Sequence, residues 1–540
     1  MLDGTGEAGS RRTSRLPVAL GCVAVVLVLA LLRLPALFEP AWSGDEGAYA
    51  DIGRSLDLGG QLYSGIWDNK PPGMYWLSAA AMAGGASALR MHLALLAIVA
   101  LLTLLVGLLG WRLRGAGTGI IAALLVAVVA SVPNFAGDQL NAEIAGALPA
   151  AAAMLVLLWR TPISLLRAGA AGVLLGLALL FKATFAADVL AALAVPVLLA
   201  MAARRRPARR DALLVVAMLG GIAVLCGLAA AAVAMRGSLS ALGDVLLHQD
   251  VRYAQWGQLA GADGVPPATY GASPSALLRA VALSRLLVVL AGGGALAALL
   301  ARRRHAAAAV LSFWLACDLA ATMLDNRALT HYVQQMEPPL ALAAALAAVS
   351  LWRSGDAVAR LLALAALPVM WLAVIGALFV PRAEAALATG HHLPPLTREN
   401  SSGRTLPSYY ANALRVATGR MSLDAWRATF TGAVYPANHA MAALLDAHSA
   451  PGRRVAVWGD RSPWVYALAD RMPATRFIWL DSAYHLYPDS DHVLAADLAH
   501  TPPAALLAQQ PLTGELQRFL RLRAYHLAQR TPYGDLWVAA

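Results

Sequence analysis

Apolar positions in this chain run on rather than alternate. Stretches of about 17 to 23 apolar residues recur over roughly the first 380 positions, each long enough to cross a hydrocarbon core at about 1.5 Å per helical residue. The pattern predicts spans at about 16–38, 89–110, 118–133, 143–159, 168–182, 184–203, 213–235, 279–301, 305–324, 338–352 and 359–381, or about eleven crossings. After residue 382 the composition becomes that of a soluble domain. RRVAVWG (453–459) and RFIWL (476–480) read as short buried strands with the helical pattern SPWVYALADR between them, which predicts a small α/β unit. The expected fold is therefore an α-helical polytopic membrane domain (1–381) followed by a soluble α/β domain (382–540).

Basic residues set the expected direction of each crossing. Arg11, Arg12 and Arg15 precede the first span. Two spans at a time, the same side receives Arg112 and Arg114, Arg160 and Arg167, the run RRRPARR (204–210), Arg302 to Arg304, and Arg353 with Arg360. By the positive-inside bias the N terminus is cytoplasmic, and an odd number of crossings puts the C-terminal domain outside the cytoplasm. The first apolar run exceeds twenty residues and no small-residue cleavage site closes it, so it is expected to be a permanent helix.

Composition agrees with a lipid solvent. Of 540 residues 59% are hydrophobic and 14% are charged, against about 25% charged in an average soluble domain. The net charge of +11 sits in short arginine-rich loops, a topological pattern that makes nucleic acid an unneeded partner. Cys22, Cys226 and Cys317 all lie in apolar runs, without disulfide or zinc spacing. WGDRSP has one glycine where a dinucleotide loop needs three. Among 42 basic residues only Lys70 and Lys182 are lysine, and a compact ammonium binds phosphate differently from a guanidinium.

Five polar islands fall on one expected side of the membrane. The first loop (39–88) carries Asp45 and Glu46 between Gly44 and Gly47, just before the helical pattern AYADIGRSLDLG. Asp45 is open to a helix-capping role, metal binding or general-base chemistry. WDNKPPGMYW (67–76) joins Lys70 to a rigid proline pair and to aromatics that suit a membrane interface. FAGDQLNAE (135–143) offers Asp138, Asn141 and Glu143 on one expected face; FKATF holds Lys182; LDNRALTHYVQQMEPP (324–339) supplies Asp325, Arg327, His331, Tyr332 and Glu337. Short loops are often merely polar, yet ionisable groups at membrane depth are costly, and their convergence points to a functional cavity. A secondary transporter also uses many helices and buried charge. Here no internal repeat is evident and the polar residues gather at one face, unlike the midplane sites of transporters. A non-catalytic assembly protein stays open.

GDEGAYA at Asp45 and Glu46 together with DNKPPGMYW resembles the GT-C superfamily of membrane glycosyltransferases. More narrowly it is similar to the aminoarabinose-transferase and protein-mannosyltransferase-like group, which includes the lipopolysaccharide galacturonosyltransferases. NAE (141–143), the FK pair at Lys182 and HYVQQMEPPLAL from His331 resemble later family features, so the likeness covers about residues 30–350. It implies a multi-pass protein of the bacterial inner membrane that transfers a hexose or pentose with inversion. The implied partners are a polyprenyl-phosphate sugar donor, an extracytoplasmic glycan, lipid or protein acceptor, and membrane lipid. Asp45, Glu46 and Glu143 are the implied catalytic residues, with Lys70, Lys182 and Arg327 on the donor phosphate. Tyr49, Trp67, Asp68, Asn141, His331 and Tyr332 are the implied substrate contacts. No cofactor is required, and a divalent cation is left open.

The charge pattern generates a direct test of direction. A reporter active only in the cytoplasm, fused after Ala540, is expected to stay dark, and a strong signal means that the span count is off by one.

Overall fold

The computed structural model describes residues 15–249, 286–323, 330–353, 357, 406–430, 434–459, 463–478 and 490–540. Asp325, Arg327, the expected span at 359–381 and the stretch 382–405 lie outside the described residues. The first part of the chain is helical: α1 (Arg15–Arg33), α2 (Gly44–Asp57), α3 (Gly73–Met82), α4 (Ala88–Arg114), α5 (Ala116–Val129), α6 (Ala142–Leu158) and α7 (Leu165–Phe181). It continues with α8 (Ala186–Ala202), α9 (Arg209–Ala234), α10 (Leu239–Asp244), α11 (Leu286–Arg302), α12 (Ala306–Thr322) and α13 (Val333–Arg353).

Among the described residues, four segments are long and apolar enough to cross a membrane: Leu16–Phe38, Ala88–Arg114, Ala183–Ala202 and Arg209–Ala234. Several shorter apolar helices, such as Ala142–Leu158 and Leu165–Phe181, run beside them. Large apolar side chains such as Leu20, Leu104, Val216 and Leu228 remain exposed, as expected of a membrane protein whose outer surface meets acyl chains instead of water. Inside the bundle, α6 is rich in small residues. α6 buries Ala142, Ala145, Ala147, Ala150, Ala151 and Ala153, and such side chains let helix backbones approach closely where no hydrophobic force drives helices together.

The C-terminal part holds a four-stranded sheet of β1 (Val455–Trp458), β2 (Ala505–Ala508), β3 (Tyr525–Thr531) and β4 (Gly534–Ala539) in the order β1-β2-β4-β3. β1 and β2 are parallel, and β4 runs antiparallel to both of its neighbours. RRVAVWG becomes β1 and its successor the short helix Val465–Ala469. The expected strand at 476–480 is not found in its described residues, 476–478. Instead of joining the sheet, Phe477 makes an isolated bridge to Trp67 of the first loop, where the Trp67 amide donates to the Arg476 carbonyl at 2.7 Å. The backbone bonds that would have made a strand tie the two parts of the chain together.

That junction is extensive and centres on α2. The Asp51 side chain is fully buried and accepts a hydrogen bond from the Ala467 amide at 2.7 Å. Arg54 donates to Asp470 at 2.6 Å. Gly47 is needed for close approach, because a Cβ there would sit 2.4 Å from the Trp464 ring and 2.9 Å from Pro463. Farther along, Glu39 accepts from Trp42 at 2.8 Å and from the Tyr409 hydroxyl at 2.5 Å, and Asn438 donates to the Ala41 carbonyl at 3.2 Å.

Burial pushes the Asp51 carboxyl well above the usual carboxylate range, against the opposing pull of the Ala467 and Trp464 amides. A raised folded-state pKa means that the native protein holds the extra proton, so stability falls as pH rises from the unfolded value of about 3.9 toward the folded one. Asp51→Asn keeps an acceptor oxygen and is expected to flatten that slope. Asp51→Ala leaves the buried Ala467 N–H unpaired and is expected to cost about 1–3 kcal/mol. Denaturant unfolding of the full chain in detergent, compared between about pH 4.5 and about pH 7, checks both expectations. An unchanged midpoint in the alanine variant removes Asp51 from the junction.

Candidate functional site

The polar islands meet at the end of the bundle where α2 enters, α6 begins, α7 ends and α13 begins. Asp45 and Glu46 do not precede α2; they lie in its first turn, and Ser43 takes the N-cap position with its hydroxyl turned to Gln139 at 2.6 Å. The capping reading of Asp45 therefore has no structural basis. Its side chain is 38% exposed, whereas that of Glu46 is 1% exposed.

The difference divides the two carboxylates. Glu46 accepts a hydrogen bond from the Leu140 amide at 3.1 Å and has His92 Nε2 at 3.1 Å from its other oxygen. Its oxygens thus hold α2 against α4 and the 133–141 segment. Among the described residues, the Asp45 carboxylate has one ionic neighbour within 4.0 Å, His331 Nε2, and it stays accessible.

Glu143 and Lys182 form the ionic centre. Lys182, at the C-cap of α7, donates to Glu143 Oε1 at 2.5 Å, and its ammonium sits 4.0 Å from the centroid of the Tyr332 ring. His331 Nε2 is 3.5 Å from the same Glu143 oxygen and its ring stands edge-on to Tyr332. The Glu143 side chain is 3% exposed and that of Lys182 18%, so the lysine is the more accessible of the two. Asn141 is the N-cap of α6, and its buried amide nitrogen finds no partner among the described residues. Asp138 is also buried at this end.

Lys70 stands in a second group. Its ammonium lies 3.7 Å from Asp68 Oδ2, 3.4 Å from Asn69 Oδ1 and 5.2 Å from the centroid of the Tyr49 ring. Its backbone is gripped from both sides: Tyr63 OH donates to the Lys70 carbonyl at 2.9 Å, and the Lys70 amide donates to Tyr75 OH at 3.1 Å. Trp67 is buried on Phe477 and so is no membrane anchor, although Trp76 is exposed as an anchor would be. Tyr49 connects the two groups. Burial raises its phenol well above the ordinary value; Lys70 opposes this, and Asp45, Glu143 and Asp68 reinforce it. Such couplings place Tyr49 within electrostatic reach of both groups.

Sequence reasoning missed the residues that hold these groups in place. Gln335 donates to the Thr184 carbonyl at 3.1 Å and to Asp188 at 3.0 Å, and accepts from the Thr184 hydroxyl at 2.8 Å. Trp314 donates to the other Asp188 oxygen at 2.7 Å. Gln334 donates to the carbonyls of Phe135 and Ala136, both at 2.9 Å. The two glutamines therefore fasten the start of α13 to the Lys182 and Glu143 islands. The signal was a pair of carboxamides inside an apolar helix, where an unsatisfied amide is costly. Arg327 lies outside the described residues.

Among the described residues, no group of three or more His, Cys, Asp or Glu side chains is arranged to hold a metal ion. Asp45, Glu143 and His331 approach one another, but Lys182 occupies the Glu143 oxygen nearest them. This donor set does not fit the divalent cation left open by the sequence.

No family model matches the chain, and no curated protein does. In fold it is similar to ArnT from Cupriavidus metallidurans bound to undecaprenyl phosphate, with a TM-score of 0.51 and 16% identity over 97% of this chain and 98% of that one. It is similar also to ArnT in the apo state, with a TM-score of 0.50 and 16% identity over 96% and 98% of the two chains. The archaeal oligosaccharyltransferase AglB from Archaeoglobus fulgidus, in complex with an inhibitory peptide and a dolichol-phosphate, is more distant: TM-score 0.44 and 16% identity over 90% and 69%. The ArnT likenesses identify the fold as the GT-C fold over nearly the full length.

The Lys182–Glu143 pair yields a double-mutant test. Lys182→Met strands a buried carboxylate and is expected to destabilise the protein by about 3 kcal/mol. Lys182→Met combined with Glu143→Gln is expected to recover much of that loss, because neither charge is then unpaired. Strictly additive losses in detergent unfolding mean that the two side chains do not interact.

Proposed function

We propose that the protein is an inverting glycosyltransferase that moves a hexose or pentose from a polyprenyl-phosphate donor to an acceptor hydroxyl on the extracytoplasmic side of a bacterial inner membrane. The observation that carries this reading is the placement of an accessible carboxylate, Asp45, 4.0 Å from His331 of the Lys182–Glu143 group and on the same helix as Tyr49, the ring beside Lys70. The similar ArnT fold, solved bound to undecaprenyl phosphate, supports a lipid phosphate as the donor.

In this reading the acceptor oxygen attacks the anomeric carbon while the bond from that carbon to the phosphate oxygen breaks. The acceptor proton passes to Asp45. Charge developing on the leaving phosphate is met by the Lys70 and Lys182 ammonium groups, which costs no reorganisation when their positions are already fixed. Lys182 has three N–H donors and Glu143 engages one, which leaves donors for a phosphate oxygen. Direct in-line displacement inverts the anomeric centre. Glu46 and Glu143 then serve the chemistry by placing α2 and Lys182, while Trp67, Asp68, Asn141, His331 and Tyr332 shape the surrounding cavity. The described C-terminal residues pack on this end of the bundle, consistent with a domain outside the cytoplasm.

An alcohol is a weak nucleophile until its proton is being removed, so losing a general base costs about 10²–10⁴ in rate. Asp45→Asn preserves size and hydrogen bonding but cannot take the proton. It is expected to fold, to bind a polyprenyl-phosphate sugar, and to transfer that sugar slower by a factor in this range. Mass spectrometry of sugar release from a panel of polyprenyl-phosphate sugars gives the measurement. Near wild-type turnover in the variant sinks Asp45 as the base, and no turnover of any donor by the wild type sinks the glycosyltransferase reading.

A further inference from the structure

The C-terminal sheet carries a groove of about 640 Å³, apart from the residues of the proposed reaction. Gln509, Gln510, Leu512, Arg521, Asp535 and Trp537 are among its lining residues. It opens where β2 ends, beside the end of parallel β1, the strand end at which open α/β sheets take their ligands. Gly534, with φ of 133°, passes so near the Ala508 carbonyl that a Cβ would sit 2.3 Å from its oxygen. Glycine therefore lets the β4 backbone run tight against β2 at one wall of the groove.

The lining has the chemistry of saccharide recognition. The Arg521 guanidinium and the Asp535 carboxylate make no ion pair or side-chain hydrogen bond among the described residues, and the buried Trp537 indole N–H has no partner there. Free donors and acceptors around an aromatic ring suit a ligand with a C–H face and a hydroxyl edge. A carboxylate in the same groove as the guanidinium disfavours a simple anion. The strands at the groove, β2 and β4, are both interior in the order β1-β2-β4-β3, so no free backbone edge is offered to an extended peptide.

Position links the groove to the reaction. Gln509 covers Gly459 at the end of β1, and a Cβ on that glycine would meet its side-chain oxygen at 2.2 Å. Gly459 is four residues from Pro463, a reach of at most about 14 Å. Pro463 and Trp464 press on Gly47, two residues from Asp45. We propose that this groove binds a saccharide segment of the acceptor, so that the acceptor is a glycan held at a distance from the hydroxyl presented to Asp45. The proposal rests on the glycosyltransferase reading for its purpose, though not for its binding chemistry.

The test uses the full chain in detergent and saturation-transfer NMR with two probes, mannotriose and trigalacturonate. The wild type is expected to bind at least one of them. Arg521→Ala and Asp535→Asn, both peripheral to the sheet core, are expected to weaken that binding at least about tenfold while donor binding stays as in the wild type. Absence of binding of both probes to the wild type overturns the proposal, as does unchanged binding in both variants. Trisaccharide binding that depends on the groove, in a protein that turns over no donor, upholds the groove and defeats the transferase reading instead.

Discussion

A charge near lipid must be answered within a few ångströms, and in this chain the answer to Lys182 is Glu143. Lys182 ends one helix and Glu143 lies in the first turn of another, so their 2.5 Å contact fixes how α6 and α7 meet at the loaded end of the bundle. Much of the remaining polarity serves that meeting. His331 adds a second nitrogen to the same oxygen and Tyr332 covers the ammonium. Gln335 reaches from α13 to the backbone just past Lys182. A carboxamide can satisfy a carbonyl, a hydroxyl and a carboxylate together, which suits it to a place where water cannot finish the job.

The C-terminal part is joined to this machinery by buried polar contacts rather than by apolar surface alone. Asp51, Arg54 and the Trp67 backbone all reach across from the first loop, and their partners Ala467, Asp470 and Arg476 all lie in the connection between β1 and β2. α2 therefore has two supports. Glu46 binds it to the bundle and Asp51 binds it to the helix that follows β1, while Asp45, one residue before Glu46, keeps its carboxylate accessible. Burial and exposure of adjacent carboxylates on one helix turn distinguish bracing from chemistry more sharply than their identity does.

Legibility in the sequence followed the range of the forces involved. Apolar run length is a local property, and it located α1, α4 to α9 and α11 to α13, whereas α3 and α10 fall outside every expected span and α11 begins later than its run. The convergence of Asp45, Glu143, Lys182 and His331 was also foreshadowed, since charges in apolar surroundings are rare enough to count. Boundaries that depend on partners were not legible. Helix α2 starts before its carboxylate pair because Ser43 finds Gln139, far away in sequence. The segment at 476–478 has a strand's composition, yet its backbone bonds to Trp67. β2, β3 and β4 escaped notice because ALLA, YHLAQRT and GDLWVA are short, and the sheet is completed by pairings across the fold. Tyr63 drew no reading and Tyr75 read only as an interfacial aromatic, although their hydroxyls act on the peptide units on either side of Lys70.

That grip on Lys70 separates display from charge. Tyr63 and Tyr75 hold the residue by its carbonyl and amide, groups that every amino acid except proline shares. The same perch would therefore present whatever side chain position 70 carried, at the same height and heading. Reach, basicity and shape at that point are free variables, and evolution or a chemist can retune the head group without rebuilding its mount.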